Sequence, residues 1–346
     1  MREMKHKRNI VLADCREDEI CELVDSLNIE QDLFDICSHI SNWKRKNVFT
    51  ELRRYIKYFS VSFLYFLKKR EYDMVVGWQQ FYALIFAFYC NVFLVKKYPK
   101  LVALNFTYKE KKGKFARVYR WFMGKCVSEK YMSFLHVPSS DYADYISNEF
   151  AFPRERIIVT AFGIRDRYHE LSMLSAPGGY EKDGYALAIG RSNRDYDFLL
   201  RAWQDINYPL VIISDTYRKQ CDNDNIGIYN DIAGEESNKW IANCGLMIIP
   251  IDDGSICSGD TVLLTAMSLQ RRILVTVPST LAEMYIENGV NAVLAEKDEV
   301  KFAQMVKQML YTDAYCSLGQ RARESFLGCY TISAMGNEVR NKVFNS

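Results

Sequence analysis

Histidine is scarce in this sequence, with four among 346 residues. Ten cysteines are present, but none forms a CxxC pair and none is spaced with the histidines in the way that zinc ligands are. We therefore expect neither a disulfide framework nor a metal site, and we interpret the cysteines as reduced thiols that mostly fill the core. His136 falls inside a strand-like run, which favours a structural role for it.

Long hydrophobic runs are also missing. The longest apolar stretch, Phe81 to Val95, covers 15 residues and contains Cys90 and Asn91, whereas a membrane helix needs about 20. It predicts a buried helix. The N-terminus begins with basic and polar residues and shows no apolar leader, so we expect a cytoplasmic protein.

Two enzyme classes are disfavoured by motifs that the sequence lacks. Neither half contains GxGxxG followed by an acidic residue about 20 positions later, which a nicotinamide-dependent oxidoreductase would need. A nucleotide-sugar epimerase would need acid and base side chains in its cleft, and the small number of histidines counts against it.

Charge is distributed unevenly along the chain. Residues 40–130 contain 20 Lys and Arg against five Asp and Glu, although the whole chain has a net charge of only +2. Many of these cations alternate with aromatic residues, as in the run 53–59. Solvated helix faces with snorkelling lysines would give the same pattern. We nevertheless expect this region to meet an anionic membrane surface or a phosphate-bearing substrate, and no motif indicates nucleic acid.

Short apolar runs alternate with helix-length segments throughout, which predicts parallel sheets covered by helices on both faces. A loop-like hinge, residues 166–183, divides this pattern. We therefore predict an α/β protein with two Rossmann-like domains, residues 1–165 and 184–330, that face each other across a cleft. Residues 331–346 are expected to form a helix that crosses back to the first domain. Ligands of such sheets bind outside the carboxyl ends of the strands.

The strand-like run Leu246 to Pro250 is followed by a polar loop and a helical pattern. Ser258 is the predicted N-cap of that helix, and Gly259 would let a ligand approach the backbone. The free amides of Asp260 and Thr261 would then face the ligand, with the positive end of the helix dipole behind them. This arrangement suits a diphosphate, although a capped helix that binds nothing also explains the motif.

A second segment fits the same ligand. The strand-like run Tyr185 to Ile189 ends in Gly190, and Arg191 and Arg194 follow before the next helical pattern. Arginine forks match phosphate oxygens, so the two side chains could hold the diphosphate. Surface ion pairs with the nearby aspartates are the alternative.

These stretches resemble the donor domain of GT-B glycosyltransferases of the retaining family 4 type, over about 150 residues. The matching segments are Gly190-Arg191, Arg194-Asp195, Leu199-Leu200-Arg201-Ala202, the run from Pro250 to Met267, residues 286–294 and residues 318–323. The resemblance implies GT-B architecture and a UDP- or GDP-sugar donor, without a metal or any further cofactor. It gives Arg191 and Arg194 the catalytic role of stabilising the leaving diphosphate.

The resemblance also implies the surroundings of the donor. The residues expected to bind it are Gly190, Ser258, Gly259, Asp260, Thr261, Thr265, Asn230 and Ile232, the last two beside the nucleoside base. Two glutamates usual in the family are replaced here by Cys257 and Thr265. A threonine hydroxyl can still bind a ribose, but this loss keeps open a catalytically silent partner subunit of another transferase.

The first half resembles the family more weakly. Trp78 follows the predicted strand Asp73 to Gly77, and Lys109 and Glu110 follow the predicted strand Leu101 to Phe106. We take these three residues as acceptor-side candidates, with a core tryptophan and a solvated loop as the alternatives. Because the basic region belongs to this half, we expect a lipid-linked or cell-envelope polysaccharide acceptor at the inner face of the plasma membrane.

Overall fold

The computed structural model describes residues 8–29, 32–40, 48–113, 115–256 and 258–344. Its contacts divide the chain into two compact units. Unit 1 comprises Met1–Arg165 and Ile332–Ser346, and unit 2 comprises Asp166–Thr331. Each unit contains one six-stranded sheet, and the named strand pairs are parallel. The predicted fold class, α/β with two Rossmann-like domains, is confirmed.

Unit 1 alternates strands and helices along its first 165 residues. The elements are β1 (Arg8–Ala13), α1 (Cys21–Leu27), β2 (Phe34–Ser38), α2 (Val48–Leu67), β3 (Tyr72–Gly77), α3 (Gln80–Val92), β4 (Lys100–Ala103), α4 (Ala116–Cys126), β5 (Phe134–Val137), α5 (Ser140–Phe150) and β6 (Ile157–Val159). The strands are arranged in the order β2-β1-β3-β4-β5-β6. β2 is added on one side of β1 and the later strands, β3 to β6, on the other. Such sheets commonly bind ligands at the point where the strand order reverses in this way.

The core of unit 1 lies on both faces of its sheet. Side chains alternate along β1, so Ile10 and Leu12 join the cluster beneath α2 and α3, while Val11 and Ala13 face the opposite side. The opposite side is covered by α1 and by the last helix of the chain, α13 (Ile332–Phe344). Residues 10–13 of β1 are buried on both faces of the sheet, which explains why they form an apolar run without polar alternation.

One strand of unit 1 is shorter than expected. The run Leu101 to Phe106 was predicted to be a strand, but β4 ends at Ala103 because Asn105 adopts a left-handed conformation with φ 52°. The Asn105 amide donates to Nδ1 of His136 at 3.1 Å, and Nε2 of His136 lies 3.0 Å from the carbonyl of Thr160. His136 is therefore a structural residue that joins the ends of neighbouring strands.

Unit 2 repeats the alternation. Its elements are α6 (Tyr168–Leu171), β7 (Ala186–Ile189), α7 (Tyr196–Ala202), β8 (Leu210–Ile213), β9 (Ile226–Tyr229), α8 (Glu235–Asn243), β10 (Leu246–Ile249), α9 (Asp260–Ser268), β11 (Ile273–Val277), α10 (Thr280–Tyr285), β12 (Val293–Glu296), α11 (Glu299–Tyr311) and α12 (Leu318–Ser325). A π-helical turn, Phe326–Tyr330, extends α12.

The sheet of unit 2 has the strand order β12-β11-β10-β7-β8-β9. The first strand of the unit, β7, therefore lies in the middle of the sheet. β8 and β9 are added on one side of β7, and β10, β11 and β12 are added on the other side. The helices that follow β7 and β10 leave on opposite faces of such a sheet, which opens a crevice at the carboxyl ends of this strand pair. The two segments predicted to bind a diphosphate follow these two strands.

Candidate functional site

The loops after β7 and β10 are joined by backbone hydrogen bonds. The strands are neighbours, with Ala188 opposite Ile248. Beyond their ends, the amide of Asp195 donates to the carbonyl of Pro250 at 2.8 Å, and Arg194 forms an antiparallel bridge with Ile251. The two predicted diphosphate-binding segments therefore form one continuous surface in unit 2.

Asn193 fixes the geometry of this surface. It has a φ of 55°, a conformation that asparagine tolerates better than most residues. Its side-chain amide donates to the carbonyls of Asp253 at 3.0 Å and Ile256 at 3.1 Å, and its side-chain oxygen accepts from the amide of Asp253 at 2.7 Å. The sequence analysis missed Asn193, because its partners are 60 residues or more away along the chain.

The Arg194 side chain lies between two glycines. A β-carbon built on Gly190 would lie 2.9 Å from Nε of Arg194, and one built on Gly259 would overlap its Nη2. Both glycines also have positive φ, 153° and 105°. The predicted diphosphate-site residues Gly190, Arg194 and Gly259 are thus in direct proximity, and neither glycine position has room for a side chain.

The guanidinium of Arg194 is an incompletely satisfied cation. Its Nη1 donates to the carbonyls of Asn193 at 3.1 Å and Ser258 at 3.4 Å, while its buried Nε has no hydrogen-bond partner among the described residues. Burial lowers the pKa of Arg194, and the charges of Tyr196 and Asp260 oppose this effect. A partly desolvated guanidinium held only by carbonyls retains donors for an anion.

Helix α9 begins beside this cation. Its N-cap is Gly259, with no side-chain cap, so the prediction that Ser258 caps the helix is wrong. The chain turns into the helix at the left-handed Gly259, one residue after Ser258, and the carbonyl of Ser258 accepts from Arg194. The amides of Asp260 and Thr261 are in the first turn, which carries the positive end of the helix dipole.

Arg191 has a different environment. Its Nη2 donates to Asp215 at 2.6 Å, and its side chain is 71% exposed. Because β7 and β8 are paired with Ile189 opposite Ile213, the residues that follow these strands emerge side by side. The carbonyl of Arg191 also accepts from the hydroxyl of Thr216 at 2.7 Å. Asp215 was missed by the sequence analysis, although its place just after a neighbouring strand is a usable signal.

The ribose-side residues are only partly described. Thr265 lies one turn into α9, and its hydroxyl donates to the carbonyl of Thr261 at 2.7 Å, so the oxygen lone pairs remain available to a ligand. Cys257, at the other position where the family has a glutamate, lies outside the described residues.

The base-side residues have separate roles. The side-chain amide of Asn230, which directly follows β9, donates to the carbonyls of Ser214 at 2.5 Å and Tyr217 at 2.6 Å in the loop after β8. Ile232 lines a pocket of about 470 Å³ in unit 2. The other lining residues are the segment 173–178 together with Glu236, Lys239 and Trp240 of α8.

The acceptor-side candidates lie in unit 1. Trp78 follows β3, its backbone amide donates to the carbonyl of Leu12 at 3.0 Å, and its ring stacks on Phe162 at a centroid distance of 6.5 Å. Lys109 and Glu110 are exposed in the loop after β4. The sequence analysis did not single out Asp14, whose carboxylate follows β1 and accepts from Tyr58 at 3.0 Å and from Gln79 at 3.1 Å.

Two features are absent from the described part of the chain. No group of three or more His, Cys, Asp or Glu side chains within it is arranged to hold a metal ion. No helix within it has both the length and the apolar character needed to cross a membrane.

Comparison with protein-family models and with curated protein sequences finds no match. Solved structures do match over nearly the whole chain. A glycosyltransferase from Rickettsia africae ESF-5 superimposes with a TM-score of 0.61 at 14% identity, covering 99% of this chain and 100% of the other. Anabaena Alr3699/HepE, in complex with UDP, gives 0.63 at 11% identity, covering 98% and 100%. The chain thus has the GT-B fold that was predicted from its sequence.

The same fold also occurs in a protein of another class. The UDP-GlcNAc 2-epimerase from Methanocaldococcus jannaschii matches with a TM-score of 0.54 at 11% identity, covering 98% of this chain and 100% of the other. Identities this low establish the fold alone. The function therefore has to be argued from the side chains at the carboxyl ends of β7 and β10.

Proposed function

We propose that this chain is a glycosyltransferase that moves a sugar from a UDP- or GDP-sugar to a lipid-linked or cell-envelope polysaccharide acceptor, in the manner of retaining family 4 enzymes. The observation that carries the proposal is the placement of the Arg194 guanidinium, with an unsatisfied Nε, against the uncapped start of α9. Both groups favour a doubly charged diphosphate, and both occur at the strand pair where such sheets bind nucleotides.

The chemistry follows from the charge that develops during transfer. As the bond from the sugar to the diphosphate breaks, negative charge accumulates on the departing oxygens. Donors fixed beforehand towards that charge stabilise the transition state more than the ground state, and one such donor contributes about 3–4 kcal/mol. In this proposal Arg194 and the amides of Asp260 and Thr261 supply the fixed donors, and Arg191 supplies a second guanidinium when it exchanges Asp215 for phosphate.

Three observations, one on a structural neighbour and two on this chain, support the finer parts of the proposal. The neighbouring structure of HepE was determined with UDP and with UDP-glucose, which favours a uridine nucleotide over a guanosine nucleotide. Ile232, which was expected beside the base, lines a pocket of about 470 Å³ in unit 2. The excess of cations in residues 40–130 favours an acceptor at an anionic membrane.

Turnover is the test. The full-length chain is incubated with UDP-glucose, UDP-GlcNAc or GDP-mannose and a bacterial membrane lipid extract, and release of the nucleoside diphosphate and labelling of lipid are measured. We expect one donor to be consumed, and the Arg194→Ala variant to lose about 10²–10³-fold in rate. Arg201→Ala is the matched control, because Arg201 is an exposed arginine of the same unit that pairs with Glu299.

A second candidate is a nucleotide-binding subunit without turnover. Thr265 takes the place of the glutamate that holds the ribose in the resembling family, and its hydroxyl hydrogen is already donated to Thr261. Binding of a nucleoside diphosphate with no donor consumed in the lipid assay would favour this candidate and reject the enzyme.

A further inference from the structure

Helix α2 is apolar on two sides. Its inner side contributes Tyr58, Val61 and Phe66 to the core of unit 1, where they are at most 6% exposed. Its outer side carries a row of large apolar side chains that are 56–81% exposed: Phe49, Leu52, Ile56, Leu64 and Leu67. Phe49, Leu52 and Ile56 follow one another at spacings of three or four residues, and the 37% exposed Phe63 lies two turns after Ile56. Leu67 follows Phe63 by four residues, so these side chains share one side of the helix, with Leu64 at its edge.

The exposed stripe is long. From residue 49 to residue 67 it extends about 27 Å at 1.5 Å per residue. Contiguous apolar surface of this kind is uncommon on a protein that has no partner, and it marks an interaction site. The core of unit 1 does not require it, because the opposite side of α2 already supplies the packing residues.

The apolar surface continues beyond α2. The partly exposed ring of Phe63 stacks 6.1 Å from Phe66, and Phe66 stacks 5.6 Å from the exposed Phe93 at the end of α3. Phe59 lies 5.7 Å from Phe122 of α4. Phe93 and Trp121 are themselves 58% and 55% exposed. The outer surface of α2 through α4 is therefore a layer of aromatic and aliphatic groups on one side of unit 1.

Cations border this layer. Lys68 and Arg70 follow the end of α2, and Lys96 and Lys97 follow the exposed end of α3. All four are exposed. Aromatic and aliphatic side chains flanked by lysine and arginine are typical of surfaces that lie in the headgroup region of anionic lipids.

We infer that the outer side of α2, with the exposed ends of α3 and α4, docks on an anionic lipid bilayer and inserts its apolar row among the headgroups. The partner is a bilayer, because the apolar side chains match the acyl chains of lipids and the bordering cations match the lipid phosphates. This inference rests on the proposed function, in which the acceptor is lipid-linked. It adds the surface by which unit 1 would reach that acceptor. Lipid binding itself does not require transfer.

Sedimentation with vesicles tests the inference. The full-length chain is mixed with vesicles of phosphatidylglycerol and phosphatidylcholine, or of phosphatidylcholine alone. We expect binding to the anionic vesicles, and a loss of at least about tenfold in the Ile56→Asp/Leu64→Asp variant, which removes two of the exposed apolar side chains that would enter the bilayer. The control is Leu33→Asp/Val300→Asp, which adds the same charge at positions 66% and 67% exposed and should bind like the parent chain.

Three results would overturn the inference. One is equal binding by the Ile56→Asp/Leu64→Asp variant and the parent chain, and another is an equal loss in the control. The third is a lipid-free dimer that dissociates in the same variant, because the surface would then be an interface between two copies of this chain.

A Lys96→Glu/Lys97→Glu variant should also bind anionic vesicles more weakly. Vesicle binding without nucleotide binding would leave the inference intact and reject the proposed function.

Discussion

Gly259 leaves the space that the Arg194 guanidinium occupies. A β-carbon built at position 259 would overlap Nη2 of Arg194 and lie 3.1 Å from its Cζ, and Gly259 itself has a φ of 105°. The same residue begins α9. Because residue 259 is a glycine, the Arg194 guanidinium can lie directly against the turn that begins α9.

We expect Gly259→Ala to weaken nucleotide binding by about ten- to a hundredfold, because displacing Arg194 removes a charged hydrogen-bond donor. The left-handed backbone adds a stability cost of about 1–2 kcal/mol. Calorimetric titration and urea unfolding measure the two effects. The control is Gly289→Ala, which has a φ of 77° but no atom within 4 Å of the new β-carbon. It should lose stability and keep its nucleotide affinity; an equal loss of affinity would contradict the role of Arg194.

Asp215 competes with the ligand for Arg191. Exposed ion pairs are worth about 0.2–1 kcal/mol, so Asp215→Asn should raise the affinity for a nucleoside diphosphate by up to about fivefold. Arg191→Ala should lower it. Titration at two salt concentrations measures both variants. Weaker binding by Asp215→Asn would mean that the carboxylate positions Arg191 for the ligand.

Asn193→Ala removes three hydrogen bonds between the loops after β7 and β10 and places alanine at a φ of 55°. We expect a loss of about 2–4 kcal/mol in the free energy of unfolding, together with weaker nucleotide binding. Asn193→Gly separates the causes, because it keeps the backbone conformation and loses only the hydrogen bonds. It should recover about 1–2 kcal/mol of the loss. Equal stability of the two variants would show that the left-handed backbone is not a cost.

His136 makes stability depend on pH. Burial lowers its pKa to about 4 from an ordinary 6.5, and the hydrogen bond with Thr160 opposes this only in part. The unfolded chain therefore binds the proton more tightly, and the free energy of unfolding should fall by up to about 3 kcal/mol as the pH drops from 6.5 towards 4. His136→Gln retains a donor for Thr160 but does not titrate. The free energy of unfolding of this variant should change less over the same pH range. An identical dependence on pH in the variant and the parent chain would contradict the role of His136.

Local patterns in the sequence were sufficient for the fold but not for the site geometry. The apolar runs that gave β7 and β10 are buried on both faces, so composition alone reveals them. Gly190, Arg194 and Gly259 could be chosen as candidates from the sequence because each belongs to a local motif. Asn193 and Asp215 were missed because their partners are distant in sequence. Ser258 was misassigned as the cap because the chain turns into α9 one residue later, at the left-handed Gly259.

The most direct test is calorimetric titration of UDP and GDP into the full-length chain and into Arg194→Ala, with Arg201→Ala as the control. We expect one nucleoside diphosphate to bind the parent chain, and its affinity for Arg194→Ala to be lower by at least about tenfold. Its affinity for Arg201→Ala should equal its affinity for the parent chain. Absence of binding by both nucleotides, or undiminished affinity in Arg194→Ala, would contradict a diphosphate site at Arg194 and the start of α9.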